Sequence, residues 1–282
     1  MKITLWGTRG SIAAPGPETT KYGGNTSCVE VRGSDGAVLV LDAGTGILRL
    51  GSSLNKSPGR IDILLTHLHL DHLQGIGFFG PLRWPDVEAH IWGPASTTLS
   101  LRERLSRYLS PPLFPVYMRD LQSKVILHEI AGDEFEIGEF KIKSGLVVHI
   151  DPTLGFRISS PAGVFTYIPD HEPALGPKHY PAEPEWTSGY DLAHKADLLL
   201  HDCQYTLKQY ESSVGWGHSS IEHAFQFAEL AEVKHFVPFH HDPSHNDKTL
   251  DRLLNEQIKL YSSKFKTTPG LEGDTFDLVV SR

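Results

Sequence analysis

The chain has 282 residues, 39% of them hydrophobic and 21% charged, with a net charge of −8 at pH 7. That length leaves ample material for a buried core, and no apolar run approaches the ~20 residues a membrane-spanning helix needs. The acidic balance argues weakly against long nucleic-acid partners, which usually go with a basic excess. The two cysteines, Cys28 and Cys203, make no disulfide framework and fit a reducing, cytoplasmic setting.

Met1 to Trp6 runs into a Gly-rich loop too soon for a secretory signal and reads as a first β-strand over 2–6. Apolar, β-branched runs bounded by turn residues predict strands at 27–32, 37–42 and 61–66. Gly44-Thr45-Gly46 lacks the lysine and spacing of a phosphate-binding loop and reads as a strand-to-helix turn. A short helix is expected over 73–79, stopped by Gly80-Pro81, then a strand at 87–92 and a helix over 96–109 ended by Pro111-Pro112. Strands follow at 124–130, 134–137, 140–149, 154–159 and 163–168, the last two joined as a hairpin through Ser160-Pro161-Ala162-Gly163. Residues 173–189 are Pro- and Gly-rich loop, and 197–201 form a buried strand. A helix over 219–231 starts at Ser219 or Ser220 as N-cap, with Glu222 in its first turn. A strand at 235–239, a helix over 246–264 and a strand at 275–280 complete the chain. β-rich halves with interspersed helices predict a layered α/β sandwich. No linker divides the sequence, and the candidate ligands run from 67 to 241, so residues 1–282 are read as one domain.

Histidine is the anomaly, with 16 residues. His67, His69, Asp71 and His72 fall within the stretch THLHLDH, straight after an apolar strand. Two histidines two residues apart diverge on a helix, but at a strand end or in the following loop they can converge on one ion. Asp71 and His72 can then serve a second ion beside it. Imidazole and carboxylate together suit Zn2+ and Mn2+. Three later positions repeat the pattern of a polar residue just past an apolar strand: His149, Asp170 and His240. A carboxylate at Asp170 can bridge two cations held ~3.5–4 Å apart.

The order His67-x-His69-x-Asp71-His72, then His149, Asp170 and His240, resembles the metallo-β-lactamase superfamily through nearly the whole chain. The resemblance implies a four-layer αββα sandwich with a dinuclear metal site along one edge. His67, His69 and His149 would hold one divalent ion, and Asp71, His72 and His240 the other, with Asp170 between them. Zn2+ is the expected metal and Mn2+ the alternative. The pair His240-His241 leaves the last ligand ambiguous; His240 is preferred because it follows the strand directly, and His241 becomes a supporting or substrate contact. Leu199-Leu200-His201-Asp202-Cys203 resembles a His-Glu-Ala-Thr stretch of ribonuclease Z, with Asp202 in the glutamate's place, and Gly217-His218-Ser219-Ser220 resembles that family's His-Ser-Thr loop. Gly7-Thr8-Arg9-Gly10-Ser11 and Gly23-Gly24-Asn25-Thr26-Ser27 fit the same branch of phosphodiesterases.

Asp71, His218 and Asp202 are therefore the expected catalytic residues. His218, at a helix N-terminus, is placed to assist the leaving oxygen of a phosphodiester if Asp202 raises its pKa against the helix dipole. Ribonuclease Z enzymes usually carry a long basic, Gly/Pro-rich arm that grips transfer RNA, and nothing in this sequence resembles it. A small phosphodiester such as a cyclic nucleotide is the preferred substrate. The alternatives are a carboxyl-ester, thioester or lactone hydrolase of the same fold, a tRNA 3′-processing ribonuclease, and a non-catalytic metal- or nucleotide-binding sensor. Self-association into a homodimer is left open.

His90, His128, His179, His194, His223 and His235 lie outside the pattern and read as structural. His171, beside Asp170, is a candidate support for the metal ligands; His201 and His245 read equally as packing or site residues, and Asp42 as a residue ordering the metal loop. Arg102, Arg104, Arg107, Arg119 and Lys124 read as a solvated helix face, or alternatively as a lip that contacts substrate phosphate.

Overall fold

The computed structural model describes residues 1–54, 57–174, 176, 180–181 and 183–279. One seven-stranded sheet is built from β1 (Lys2–Gly7), β2 (Cys28–Arg32), β3 (Val38–Leu41), β4 (Arg60–Leu64), β5 (Glu88–Pro94), β6 (Lys124–Ile130) and β14 (Thr275–Asp277), in the order β14-β1-β2-β3-β4-β5-β6. The other contains β7 (Glu134–Ile137), β8 (Phe140–Val147), β9 (Thr153–Ser160), β10 (Gly163–Ile168), β11 (Leu198–Asp202), β12 (His235–Phe239) and β13 (Lys266–Thr267), in the order β13-β12-β11-β10-β9-β8-β7.

Three apolar layers hold the sheets in place. Leu64, Phe156, Tyr167, Leu200 and Phe239 belong to the layer between the sheets. Ile63 and Ile91 pack outward against α1 (Ile47–Ser53) and α3 (Leu101–Tyr108) through Leu50 and Leu105. Leu199 and Phe236 pack outward against α6 (Ile221–Leu230) and α7 (Asp247–Tyr261) through Phe225 and Leu250. Neighbours such as Ile63 and Leu64, or Leu199 and Leu200, thus enter different layers, as the two-residue period of a strand requires. Both faces are covered, so these strands read as unbroken apolar runs. The result is the expected αββα sandwich.

Strand direction fixes where chemistry can gather. β3, β4, β5 and β6 pair parallel, as do β10, β11, β12 and β13. β8 is antiparallel to β9, and β9 to β10, so β8 runs the same way as β10. The carboxyl ends of β8, β10, β11 and β12 therefore lie along one edge, the side of an open α/β sheet where ligands collect.

Several boundaries differ from the sequence reading. The helix expected over 73–79 is α2 (Leu70–Leu73), followed by a 3-10 turn at Ile76–Phe78. It begins inside the histidine cluster, and Gly75 interrupts it, packed where a Cβ would lie 2.2 Å from the Gly44 carbonyl oxygen. α3 starts five residues later than expected, because Ser100 and Glu103 form a capping box that fixes its first turn. The loop over 173–189 contains a 3-10 turn, Pro184–Trp186, and leads into α4 (Tyr190–Ala193); α5 (Leu207–Glu211) follows β11. His179 and residue 280 of the expected last strand lie outside the described residues. Among the described residues no helix is long and apolar enough to cross a membrane.

Candidate metal centre

The strand ends deliver the histidines. After β4 the chain stays extended through His69, the N-cap of α2, and then turns so that Asp71 and His72 occupy the first helical turn. His149 lies two residues past β8, Asp170 two past β10, and Asp202 ends β11. His240 follows β12 with φ of 57°, a left-handed conformation uncommon outside glycine. It turns His240 into the cluster, while the His241 ring packs edge-on against Tyr22 at 5.1 Å. The two neighbouring histidines thus face different surroundings.

Potential ligand atoms form two neighbouring triads, His67/His69/His149 and Asp71/His72/His240. Asp170 faces both. Its Oδ2 lies 3.7 Å from His67 Nε2 and 3.6 Å from His149 Nε2. Its Oδ1 lies 2.9 Å from His72 Nε2 and 3.3 Å from His240 Nε2. One oxygen of a single carboxylate is thus turned toward each triad.

Tautomers follow from what stands behind each ring. His72 Nδ1 donates to Asp42 Oδ2 at 2.8 Å, and His149 Nδ1 donates to the Gly217 carbonyl at 2.7 Å. The Thr66 hydroxyl donates to Asp42, so its oxygen accepts from His67 Nδ1 at 3.0 Å. His67 and His149 therefore present a bare Nε2 lone pair to the centre, and His72 points its Nε2 there too, 2.9 Å from Asp170 Oδ1, where a proton or a cation can sit. Lone pairs and carboxylate oxygens facing one another repel unless a proton or a cation lies between them. His67 Nε2 and Asp170 Oδ1 are buried without a hydrogen-bond partner, a debt a divalent cation would cancel. The donor set of imidazoles and carboxylates fits Zn2+ or Mn2+.

The electrostatics divide along the same line. Burial pushes His67, His69 and His149 below the usual histidine value, His149 to about 4. Burial acts against charge on His72 too, but Asp170, Asp71 and Asp42 outweigh it and raise His72 well above its ordinary value. Asp71 and Asp170 are pushed up by burial and pulled further down by the histidines around them, so both stay ionised.

His218 stands at the rim, its side chain 12% exposed, with Nδ1 2.7 Å from Asp202 Oδ2. The expected pair is therefore formed. The expected rise in its pKa is not: burial lowers His218 and raises Asp202 well above its ordinary value. Burial disfavours both charges at once, and one shared proton satisfies the pair. His171 does not enter the triads; its backbone N–H donates to Asp202 Oδ2 at 3.1 Å and its Nδ1 meets His201 Nε2 at 2.8 Å.

Sequence reasoning missed Glu172. This buried carboxylate accepts from Gly217 N–H at 2.8 Å, Gly215 N–H at 2.9 Å and the Tyr210 hydroxyl at 2.7 Å, while its own N–H donates to the Val148 carbonyl at 2.9 Å. It pins the loop that carries His218 and supports His149. Gly217 is required there: its φ is +83°, and a Cβ would lie 2.3 Å from His149 Nδ1. The only signal in the sequence was a charged residue two places past Asp170. Asp42, singled out by its place after β3, does order the loop, accepting from Thr66, His72 and, at 2.9 Å, the Tyr167 hydroxyl.

Residues 38–241 match the family described as the beta-lactamase superfamily domain. The chain is 24% identical over 248 residues to a ribonuclease Z of Thermococcus gammatolerans, spanning 73% of this chain and 75% of that protein. The short form of human tRNase Z has a similar structure, with a TM-score of 0.68, 22% identity and 99% of each chain covered. Yeast PDE1 gives a TM-score of 0.67 at 15% identity, over 97% of this chain and 98% of that one. At those identities the two structures speak to the fold.

Proposed function

The chain belongs to the metallo-β-lactamase superfamily, and from that premise we propose that it is a dinuclear metal-dependent phosphodiesterase acting on a small phosphodiester such as a cyclic nucleotide. The observation that carries the reading is Asp170, whose two oxygens face different triads. In this reading His67, His69 and His149 would hold one ion and Asp71, His72 and His240 the second, with Asp170 placed to serve both. Zn2+ is the first choice and Mn2+ the second. Two divalent cations there supply charge neutralisation for the diester and acidify a bound water.

The protein's own groups do the rest. Asp42, Thr66 and the Gly217 carbonyl fix the ring orientations, so lone pairs are set before substrate arrives. The Ser11 N–H donates to Asp71 Oδ2 at 2.7 Å and orients that carboxylate. His218, held by Asp202, keeps its Nε2 without a protein partner among the described residues and passes a proton to the leaving oxygen. With the pair's shared proton held toward Asp202, the neutral ring carries its own proton on Nε2; as that proton passes to the leaving oxygen, Nδ1 takes the one from Asp202, so the ring never needs a full positive charge. Both cysteines are buried and free, in keeping with a reducing, cytoplasmic setting. The whole chain, 1–282, acts as one domain in this reading.

A second reading, a tRNA 3′-processing ribonuclease, is favoured by the resemblance to the Thermococcus ribonuclease Z. The net charge of −8 and the lack of a long basic arm in the sequence weigh against it. Hydrolysis of bis-p-nitrophenyl phosphate and of p-nitrophenyl acetate by Zn- and Mn-loaded protein, with His69→Ala as control, tests the proposal. Metal-dependent diester cleavage that His69→Ala abolishes is expected. Ester cleavage alone would transfer the chain to the carboxyl-ester and thioester hydrolases.

A further inference from the structure

A cavity of about 280 Å³ opens beside the centre, with His67, His69, Ser96, Thr98, Arg104 and Arg107 on its wall. Asp151 is the one carboxylate on that wall among the described residues. The two arginines are one helical turn apart on α3 and share a face. Arg104 is held in place: its guanidinium donates to the Pro94 carbonyl at 2.5 Å, and Glu129 lies 3.5 Å away. Its Nε is buried without a partner. Arg107 is exposed and forms no ion pair among the described residues. The third arginine of this helix, Arg102, lies against Met118 and off the cavity wall.

Arg104 and Arg107 thus line a polar recess beside the histidines, which Arg102 does not reach. In a chain of net charge −8, the recess is a local reversal of sign, and guanidinium groups beside hydroxyls are the chemistry that recognises phosphate. The centre itself already accounts for the diester, so these groups are left for a second anion. The same two arginines also border a mainly apolar cavity of about 310 Å³, with Leu70, Leu73, Tyr108 and Leu113, which suits the organic body that joins two phosphates.

We propose that Arg104 and Arg107 form a subsite for a second, non-scissile phosphate, so that the preferred substrates are nucleotide diesters carrying an additional terminal phosphate. The inference rests on the phosphodiesterase reading and narrows it. Arg107 supplies the exposed contact, and Arg104 the fixed one.

The test uses two chromogenic substrates with one scissile bond, thymidine 5′-(p-nitrophenyl phosphate) with and without a 3′-phosphate, and the metal-loaded full chain. kcat/KM is expected to be about tenfold higher for the 3′-phosphorylated ester, the effect of one charge-assisted hydrogen bond. That ratio falls toward one in Arg107→Gln, is partly restored in Arg107→Lys, and persists in Arg102→Gln on the same helix. A ratio of one in the wild type, or an unchanged ratio in Arg107→Gln, overturns the subsite while leaving the diesterase standing. If neither ester is cut, the diesterase reading fails. Calorimetry with thymidine 3′,5′-bisphosphate then decides the subsite: weaker binding to Arg107→Gln than to wild type supports it, and equal binding overturns it.

Discussion

The two triads of the centre use similar residues in unlike settings. His67, His69 and His149 form a shallower half made of imidazoles, reached from the rim through the half-buried His69, although the His149 side chain itself is only 1% exposed. Asp71, His72 and His240 form a deep half in which both rings are fully buried and carboxylates crowd one histidine. Burial, helped by the neighbouring histidines, drives the His67, His69 and His149 rings toward neutrality, whereas the carboxylates hold His72 in its charged form when no cation is near. The deep half thus demands positive charge, and the shallow half only accepts it. The difference shows that a ligand's residue type does not set its electrostatics; the groups behind it do.

Joining the halves through one residue predicts the largest effect. Asp170→Asn should lower diester hydrolysis by about 10³-fold or more, with the metal-to-protein ratio reduced, as read by elemental analysis. Full metal content with activity near wild type would break the comparison at its centre.

Each half also has its own support, so each can be loosened separately. Glu172→Gln should weaken binding of one metal equivalent about 10- to 100-fold through Gly217 and His149. Asp42→Asn should do the same to the other equivalent through His72. Calorimetric metal titration reads both, and a variant that weakens both equivalents alike would show that the halves are not independent.

The smallest effect is a difference of sign with pH in metal-free protein. His149, depressed to about 4 from 6.5, contributes stability that is complete above 6.5 and is lost as pH falls toward 4. His72, raised above its ordinary 6.5, contributes stability that is complete below 6.5 and is lost as pH rises through its folded value. Nitrogen NMR of the imidazoles should find His72 still charged at neutral pH and His149 neutral. Two rings titrating together would remove the distinction.

The candidate ligands were legible because the chemistry is concentrated: four ligand-type residues in six positions, then single polar residues just past strands. The support was not. Glu172 acts on Gly215, Gly217 and Tyr210, more than 35 residues away, by contacts that no local pattern announces. α5, five residues long, is too short to show a helical period, and the two residues of β13 form a strand only because β12 lies beside them. α2 begins earlier than its apolar pattern suggests because its first turn is the histidine motif itself. The lowered pKa of His218 is hidden for a similar reason: the sequence offers the carboxylate partner but not the burial that outweighs it.

The placement of His240 at the end of β12, far along the chain from His67, also bears on biosynthesis. A nascent chain carries its first histidine cluster out of the ribosome long before β12 exists. Until residue 240 has emerged and both sheets have closed, the deep half lacks a wall, and an early ion would meet only a partial set of ligands. On the proposed ligand set, stable loading would therefore be a late event in the life of each molecule, and a retained pair of ions would mark a chain that has finished folding.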